Sequence, residues 1–252
     1  MISFTISALK IIFLLGFLIF IHETGHFTVA KLCHVKVNEF AIGFGPTIWK
    51  KQGKDTIYAL RAIPLGGFVS MEGEEERSDS EGSFSKASIP KRIAIVSAGA
   101  LVNIIFAILI YFILVLVIAK PFQDTIINRL TIAANSTGEF VLLIVDGVKQ
   151  LFTGKAGLDQ MTGIVGISEI VAQTNGIKEF IYMMAVISIS LGVTNLLPIP
   201  ALDGGRILLL VIEAIRRKPL TQELELKIQM AGFFIIIGLS VLVTCNDIIK
   251  LF

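Results

Sequence analysis

Two histidines and a glutamate stand together in LIFIHETGHFTVAK, Leu18 to Lys31. His22 and His26 are four residues apart, so on a helix both rings project from one face. Glu23 follows His22 and completes the pattern H-E-x-x-H, two imidazole ligands for zinc and a carboxylate that can act as general base. Neutral imidazole suits zinc, which in catalytic sites commonly takes three protein ligands and keeps a fourth position for water. Such an ion lowers the pKa of its water to about 7, so hydroxide is available near neutrality. Glu23 could take the water's proton and later pass it to a leaving amine.

These residues lie inside an apolar stretch, where ionisable groups are costly and usually functional. Polar groups merely satisfied by neighbours are the alternative, which suits a lone histidine better than three residues in this spacing. Gly25 is poor for an exposed helix interior, but within a membrane it lets another backbone approach closely.

A third ligand must come from elsewhere. His34 is too far along the chain to share the helical face and is expected at the cytosolic surface. TNLLPIPALDGGRILLL, Thr194 to Leu210, offers a better candidate. Pro198 and Pro200 interrupt a hydrophobic run there, and Gly204 and Gly205 follow Asp203. A broken helix at membrane depth usually lines a functional cavity. Asp203 is the only carboxylate in its apolar neighbourhood and would help balance a zinc charge. Its alternative role is to cap the helix that starts near Arg206. Asn195 could hydrogen-bond a peptide backbone or a developing oxyanion. Cys33 and Cys245 are too few for a disulfide framework and read as small apolar fillers rather than ligands.

The elements that must position these groups are membrane helices. The chain is 54% hydrophobic and 17% charged, with a mean hydropathy of +0.80, against roughly 25% charged residues in soluble domains. A net charge of +2 is too small to suggest a nucleic-acid partner. Four stretches approach or exceed the about 20 residues needed to cross a bilayer: 7–30, 91–119, 181–217 (broken at 195–205) and 228–249. The first is too long for a signal peptide and lacks a small-residue cleavage site, so it is expected to stay as a span. Lys31 to Arg92 carries ten lysines and arginines, and Arg216, Arg217, Lys218 and Lys227 follow the third span. The 120–180 loop is poorer in them for its length. Positive-inside bias puts the first two regions in the cytoplasm, with the termini and the 120–180 loop outward. His22 then lies roughly 13 Å below the cytosolic surface, at 1.5 Å per residue from Lys31.

The fold class is therefore mainly α and polytopic, a single domain over 1–252. VKVNEFAIGFGPTIW and DTIYALRAIPLGGFVSM, separated by the turn-like KKQGK, predict a β-hairpin or small sheet over 35–70. The run is unusually apolar for a cytosolic loop, so it is either a packed cytosolic hairpin or one that dips against the membrane helices. Residues 71–90, with EGEEERSDSEGS from Glu72 to Ser83, predict a solvated flexible loop without chemistry. From Phe140 to Phe152 apolar residues recur near helical spacing, interrupted by Asp146 and Lys149. That predicts an interfacial amphipathic helix before the third span rather than a fifth span.

HETGH on the first span together with NLLPIPALDGG on the third resembles the site-2 protease family of intramembrane zinc metalloproteases, peptidase family M50. GFGPTI and IPLGGFVSMEGE resemble the family's membrane-associated β-hairpin. SAGALVN, Ser97 to Asn103, resembles its second-span motif, with Gly99 and Asn103 in the usual places. FTGKAGLDQMTGIVGIS resembles the segment before the third span in the bacterial regulator-of-sigma-E protease branch. The resemblance covers nearly the whole chain. It implies His22, His26 and Asp203 as ligands of one zinc ion per chain, Glu23 as catalytic base, and Asn195 holding substrate backbone near the scissile bond. It extends the substrate-binding set to Asn103 and to Gly43, Gly45, Gly66 and Gly67.

The implied substrates are single-span membrane proteins, such as anti-sigma factors or remnant signal peptides, in the cell inner membrane, with the active site toward the cytoplasm. A peptide bond in a helix is shielded, so the substrate must unwind, and the hairpin could pair with it as an added strand. One departure stands out. The branch carries one or two PDZ domains between spans two and three, and the 17 residues from Pro121 to Thr137 are too few for one. Two rival readings use the same residues, a metal-ion transporter and a zinc-binding pseudoprotease. The first needs a polar path on both sides of the site, which the apolar second span does not offer. The second needs no base beside its ligands, and Glu23 is there.

Overall fold

A computed structural model describes residues 2–74, 76, 78–118, 125–153, 163–174 and 176–250. The chain begins with helix α1, Ile2–Leu32. It ends where His34 adopts a left-handed conformation, φ 63°, and the Val35 amide donates to the Ala30 carbonyl. This turn feeds strand β1, Val37–Gln52, which pairs antiparallel with β2, Ile57–Met71. The hairpin predicted for 35–70 is present, with its turn at Gly53, whose amide donates to Thr56.

Both strands are long enough to fold over. Phe40 is partnered by Val69 on β2 and also by Tyr58, and Ile42 by both Gly67 and Leu60. The bend in β1 falls at Gly43 and Gly45, with φ of 89° and 80°. A β-carbon at Gly43 would lie 2.8 Å from the Arg61 carbonyl oxygen, so glycine is required there by both conformation and space.

The segment after β2 departs from expectation. In place of a solvated flexible loop, its described residues fold back on the sheet. Lys36 donates its amide to Gly82, and Phe84 donates to Glu72. Phe84–Lys86 forms a 3-10 turn, and the Phe84 ring joins the core with Ala30, Val37, Val69 and Val96. Burying one aromatic side chain contributes about 1.5–3 kcal/mol, which together with these hydrogen bonds docks the polar run. Hydrogen bonds from Ser78, Asn38 and Ser80 lower the pKa of the Glu72 carboxyl.

Helix α2, Ile89–Ile118, starts with Pro90 in its first turn, where a missing N–H is no loss. Then come α3, Ile126–Phe152; α4, Ile164–Ala172; α5, Ile177–Asn195; α6, Asp203–Arg216; and α7, Gln222–Lys250. Among the described residues five helices (α1, α2, α3, α5 and α7) are long and apolar enough to cross a membrane, where four were expected. The addition is α3. The sequence predicted only its second half, because Asn128, Arg129, Asn135 and Ser136 break the apolar pattern earlier. Its apolar and polar residues separate onto two faces far more than those of α1 or α2. Residues 119–124 and 154–162, which include much of the FTGKAGLDQMTGIVGIS run and the start of the Pro121–Thr137 connection, lie outside the described residues.

The chain divides into two compact units. In one, Met1–Ile11, Ile104–Ser190 and Ile237–Phe252, helix α4 is held at both ends. Asp247 on α7 accepts from the amides of Gly163 and Gly166 at 2.9 and 3.0 Å, and Lys10 on α1 donates to the Thr174 carbonyl at 2.8 Å. Each charge opposes the helix dipole at its own end. The other unit, Ile12–Asn103 and Leu191–Ile236, contains the sheet, the core around Phe84, and every candidate ligand.

Candidate metal centre

Helices α1 and α2 meet backbone to backbone where the histidines sit. A β-carbon on Gly25 would stand 2.6 Å from the Ala98 carbonyl oxygen. One on Gly99 would stand 2.3 Å from Nε2 of His26 and 2.8 Å from Nε2 of His22. Two glycines, one on each helix, thus let α2 pass directly beneath the two rings. The same helix orients them. Nδ1 of His26 lies 2.9 Å from the Ile95 carbonyl oxygen, and Nδ1 of His22 lies 3.3 Å from the Asn103 carboxamide.

Asp203 arrives through the break between α5 and α6. Ala201 takes a left-handed φ of 73°, and its amide donates to Oε1 of Gln229 at 2.6 Å. The segment then wraps over the start of α6. β-Carbons on Gly204 and Gly205 would lie 2.2 Å from the Leu197 and 2.3 Å from the Ile199 carbonyl oxygens. On α7, one on Gly232 would lie 2.3 Å from the Pro200 carbonyl oxygen. Leu202 is the N-cap of α6 and Asp203 its first residue. Asp203 therefore occupies the positive end of the helix dipole, with its side chain turned to the histidines instead of capping.

Oδ2 of Asp203 lies 3.3 Å from Nε2 of His22 and 3.5 Å from Nε2 of His26, and the two nitrogens are 3.1 Å apart. Ligands bound at 2.0–2.1 Å around a tetrahedral zinc ion are about 3.3 Å from one another, so the three atoms have the separations such an ion requires. The donor inventory agrees. The Ile95 carbonyl can only accept, so the His26 proton is on Nδ1 and the neutral ring presents a lone pair at Nε2. Oδ2 of Asp203 is buried without a hydrogen-bond partner. Electron pairs facing one another in a buried place call for a cation, and two imidazoles with one carboxylate suit zinc.

Glu23 and the three candidate ligands open on a cavity of about 430 Å³. β2 supplies another wall from Gly67 to Met71, with Glu74 and Arg206. A β-carbon on Gly67 would lie 3.0 Å from Cγ of Glu23, so glycine here leaves room for the carboxylate. Arg206, one turn after Asp203, pairs with Glu74 from the acidic run.

Of the residues the sequence singled out, His22, Glu23, His26, Asp203 and Gly67 meet at the cavity. Asn103 does not line it and is fully buried against His22. Gly43 and Gly45 form the bend of β1, and Gly66 packs under the Phe44 ring. Asn195 ends α5, half-buried and away from the cavity wall. His34 is exposed at the end of α1. Sequence reasoning missed Arg206 and Glu74. The only signal was an arginine in the first turn of apolar α6, since its partner lies 132 positions away.

Residues 10–239 match the model of Peptidase family M50. Curated relatives include proteins named "Putative zinc metalloprotease" from three bacteria. The one from Fusobacterium nucleatum is 27% identical, the alignment covering 95% of this chain and 97% of the relative. That from Clostridium acetobutylicum is 30% identical, over 93% and 95%, and that from Clostridium perfringens 31%, over 92% and 95%. The first alignment runs over 331 residues against 252 in this chain. These relatives thus carry additional residues of their own, and no PDZ domain is evident here.

Proposed function

The chain belongs to peptidase family M50 and is a multi-pass membrane zinc metalloendopeptidase, and from that premise we propose that it hydrolyses peptide bonds within or near the transmembrane segments of single-span membrane proteins. Anti-sigma factors and remnant signal peptides are substrates of this kind. One observation carries the reading. Possible ligand atoms of His22, His26 and Asp203 lie within 4.8 Å of one another beside Glu23, on a cavity walled by a β-strand.

In this scheme His22, His26 and Asp203 hold one zinc ion per chain. Zinc bound there would supply Lewis acidity and bring the pKa of water to about 7. The chain's own residues do the rest. Glu23, with its carboxylate in the cavity, takes a proton from the attacking water and delivers it to the nitrogen of the leaving amine. β2 at 67–71 pairs with β1 on one side and faces the cavity, so an unwound substrate can add to it as a strand. Main-chain hydrogen bonding would then hold the scissile bond extended before Glu23. Asn195, the last residue of α5, would hydrogen-bond substrate backbone.

The lysine- and arginine-rich segments support a cavity open toward the cytoplasm, in the cell inner membrane on this reading. Amphipathic α3 lies along the outer interface, which leaves four spans and both termini outward. A transporter would need a polar route past the site, yet from Ile104 to Ile118 the α2 sequence offers only the Tyr111 hydroxyl. Incubation of the purified protein in detergent with a single-span substrate, with and without chelator, separates the readings. Cleavage that stops with chelator and returns with zinc supports the protease. Transport of zinc into vesicles without cleavage supports the rival.

A further inference from the structure

His22 and His26 are both oriented by α2, but by partners of different kinds. His26 faces the Ile95 carbonyl oxygen, which can only accept, so the place of its proton is settled. His22 faces a carboxamide, which can present either an NH2 group or an oxygen. If Nδ2 of Asn103 donates to Nδ1 of His22 across their 3.3 Å, the imidazole proton must sit on Nε2. It then points at Nε2 of His26 and Oδ2 of Asp203, into the place a cation needs. A half-turn of the amide about χ2 exchanges the two groups. Oδ1 then accepts from Nδ1–H, and Nε2 of His22 is a bare lone pair.

We propose that Asn103 is a positioning residue of the metal site, accepting the Nδ1 proton of His22 and so keeping its Nε2 free to bind a divalent cation. The inference rests on the reading of His22 as a metal ligand. Asn103 is 0% exposed, so bulk water cannot take its place, and it lies outside the cavity, so substrate does not compete for it. It stands one helical turn after Gly99, the residue whose missing side chain leaves room for both rings. An acceptor on the far nitrogen fixes the tautomer and raises the basicity of the ligand, and loss of such a partner typically costs 10–100-fold in metal affinity.

The test is zinc affinity of the purified full chain in detergent, by competition with a chromogenic chelator, for wild type, Asn103→Leu and Asn103→Asp. Leucine keeps the size and offers no acceptor, whereas aspartate can only accept. The expected result is zinc binding weakened about 10–100-fold in Asn103→Leu and at least as tight as wild type in Asn103→Asp. A merely structural role gives the reverse order, because buried apolar surroundings tolerate leucine and penalise a carboxylate. Wild-type affinity in Asn103→Leu overturns the proposal, as does loss of zinc from a folded Asn103→Asp. Should Asn103→Leu fail to fold, Asn103→Asp decides alone by the same criterion. Wild-type protein that binds no zinc would end the metal-site reading, and this inference with it.

Discussion

A β-carbon on Gly99 would stand 2.3 Å from Nε2 of His26, so one missing side chain on α2 determines where the histidines of α1 can lie. Gly99→Ala must push either the ring or the helix away. Displacing a reacting group by ~1 Å costs about 100-fold in rate, and the variant is expected to lose at least that much peptidase activity and to bind zinc more weakly. Gly138→Ala is the control. Its β-carbon meets nothing within 4 Å, and alanine should raise helix stability by about 1 kcal/mol. Equal activity in the two variants would show that the close crossing is not needed.

Glu23 shares the cavity with the candidate ligands, and the proposed function gives it the proton transfer, not the metal. Glu23→Gln keeps the shape and removes the base. Cleavage is expected to fall by about 100- to 10,000-fold, while zinc measured by mass spectrometry stays at the wild-type level. Substantial turnover in the metal-loaded variant would move the base elsewhere.

Much of this centre was legible in the sequence because its strongest signals are local. His22, Glu23 and His26 fall within five residues, and their spacing is meaningful on any helix. Asp203 stood out as a carboxylate beside a proline break in an apolar run. What escaped was non-local. The partners of Asn103 and Arg206 lie 81 and 132 positions away, and no periodicity reveals them. Phe84 looked like one aromatic in a polar loop, and only the core it enters explains why that loop is ordered. The first half of α3 was hidden because its polar residues lie on one face of a helix longer than the apolar repeat suggested.

The pair formed by Glu74 and Arg206 ties the segment after β2 to α6. The Glu74 side chain is 9% exposed and that of Arg206 37%, so solvent screens part of the attraction and its contribution is about 1 kcal/mol. Glu74→Ala should therefore open the segment about fivefold more often. Hydrogen exchange at the amides of Lys36 and Phe84, which bond across it, reads this directly. Unchanged protection at both would mean that the pair does not hold the segment.

Asp247 caps α4 by accepting two amides, Gly163 and Gly166. Asp247→Leu leaves both without their acceptor and should cost about 1–2 kcal/mol, seen as a lower midpoint of thermal unfolding in detergent. Asp247→Asn, which keeps one oxygen, should lose less. A midpoint unchanged in the leucine variant would show that the cap contributes nothing.

Zinc content of the purified protein, wild type beside Asp203→Ala, tests the metal centre most directly, since α6 must bring Asp203 to histidines on α1. One ion per wild-type chain and almost none in a variant that keeps its helical circular dichroism is the expected result. Full occupancy in Asp203→Ala would contradict the account, because the third ligand would then lie elsewhere.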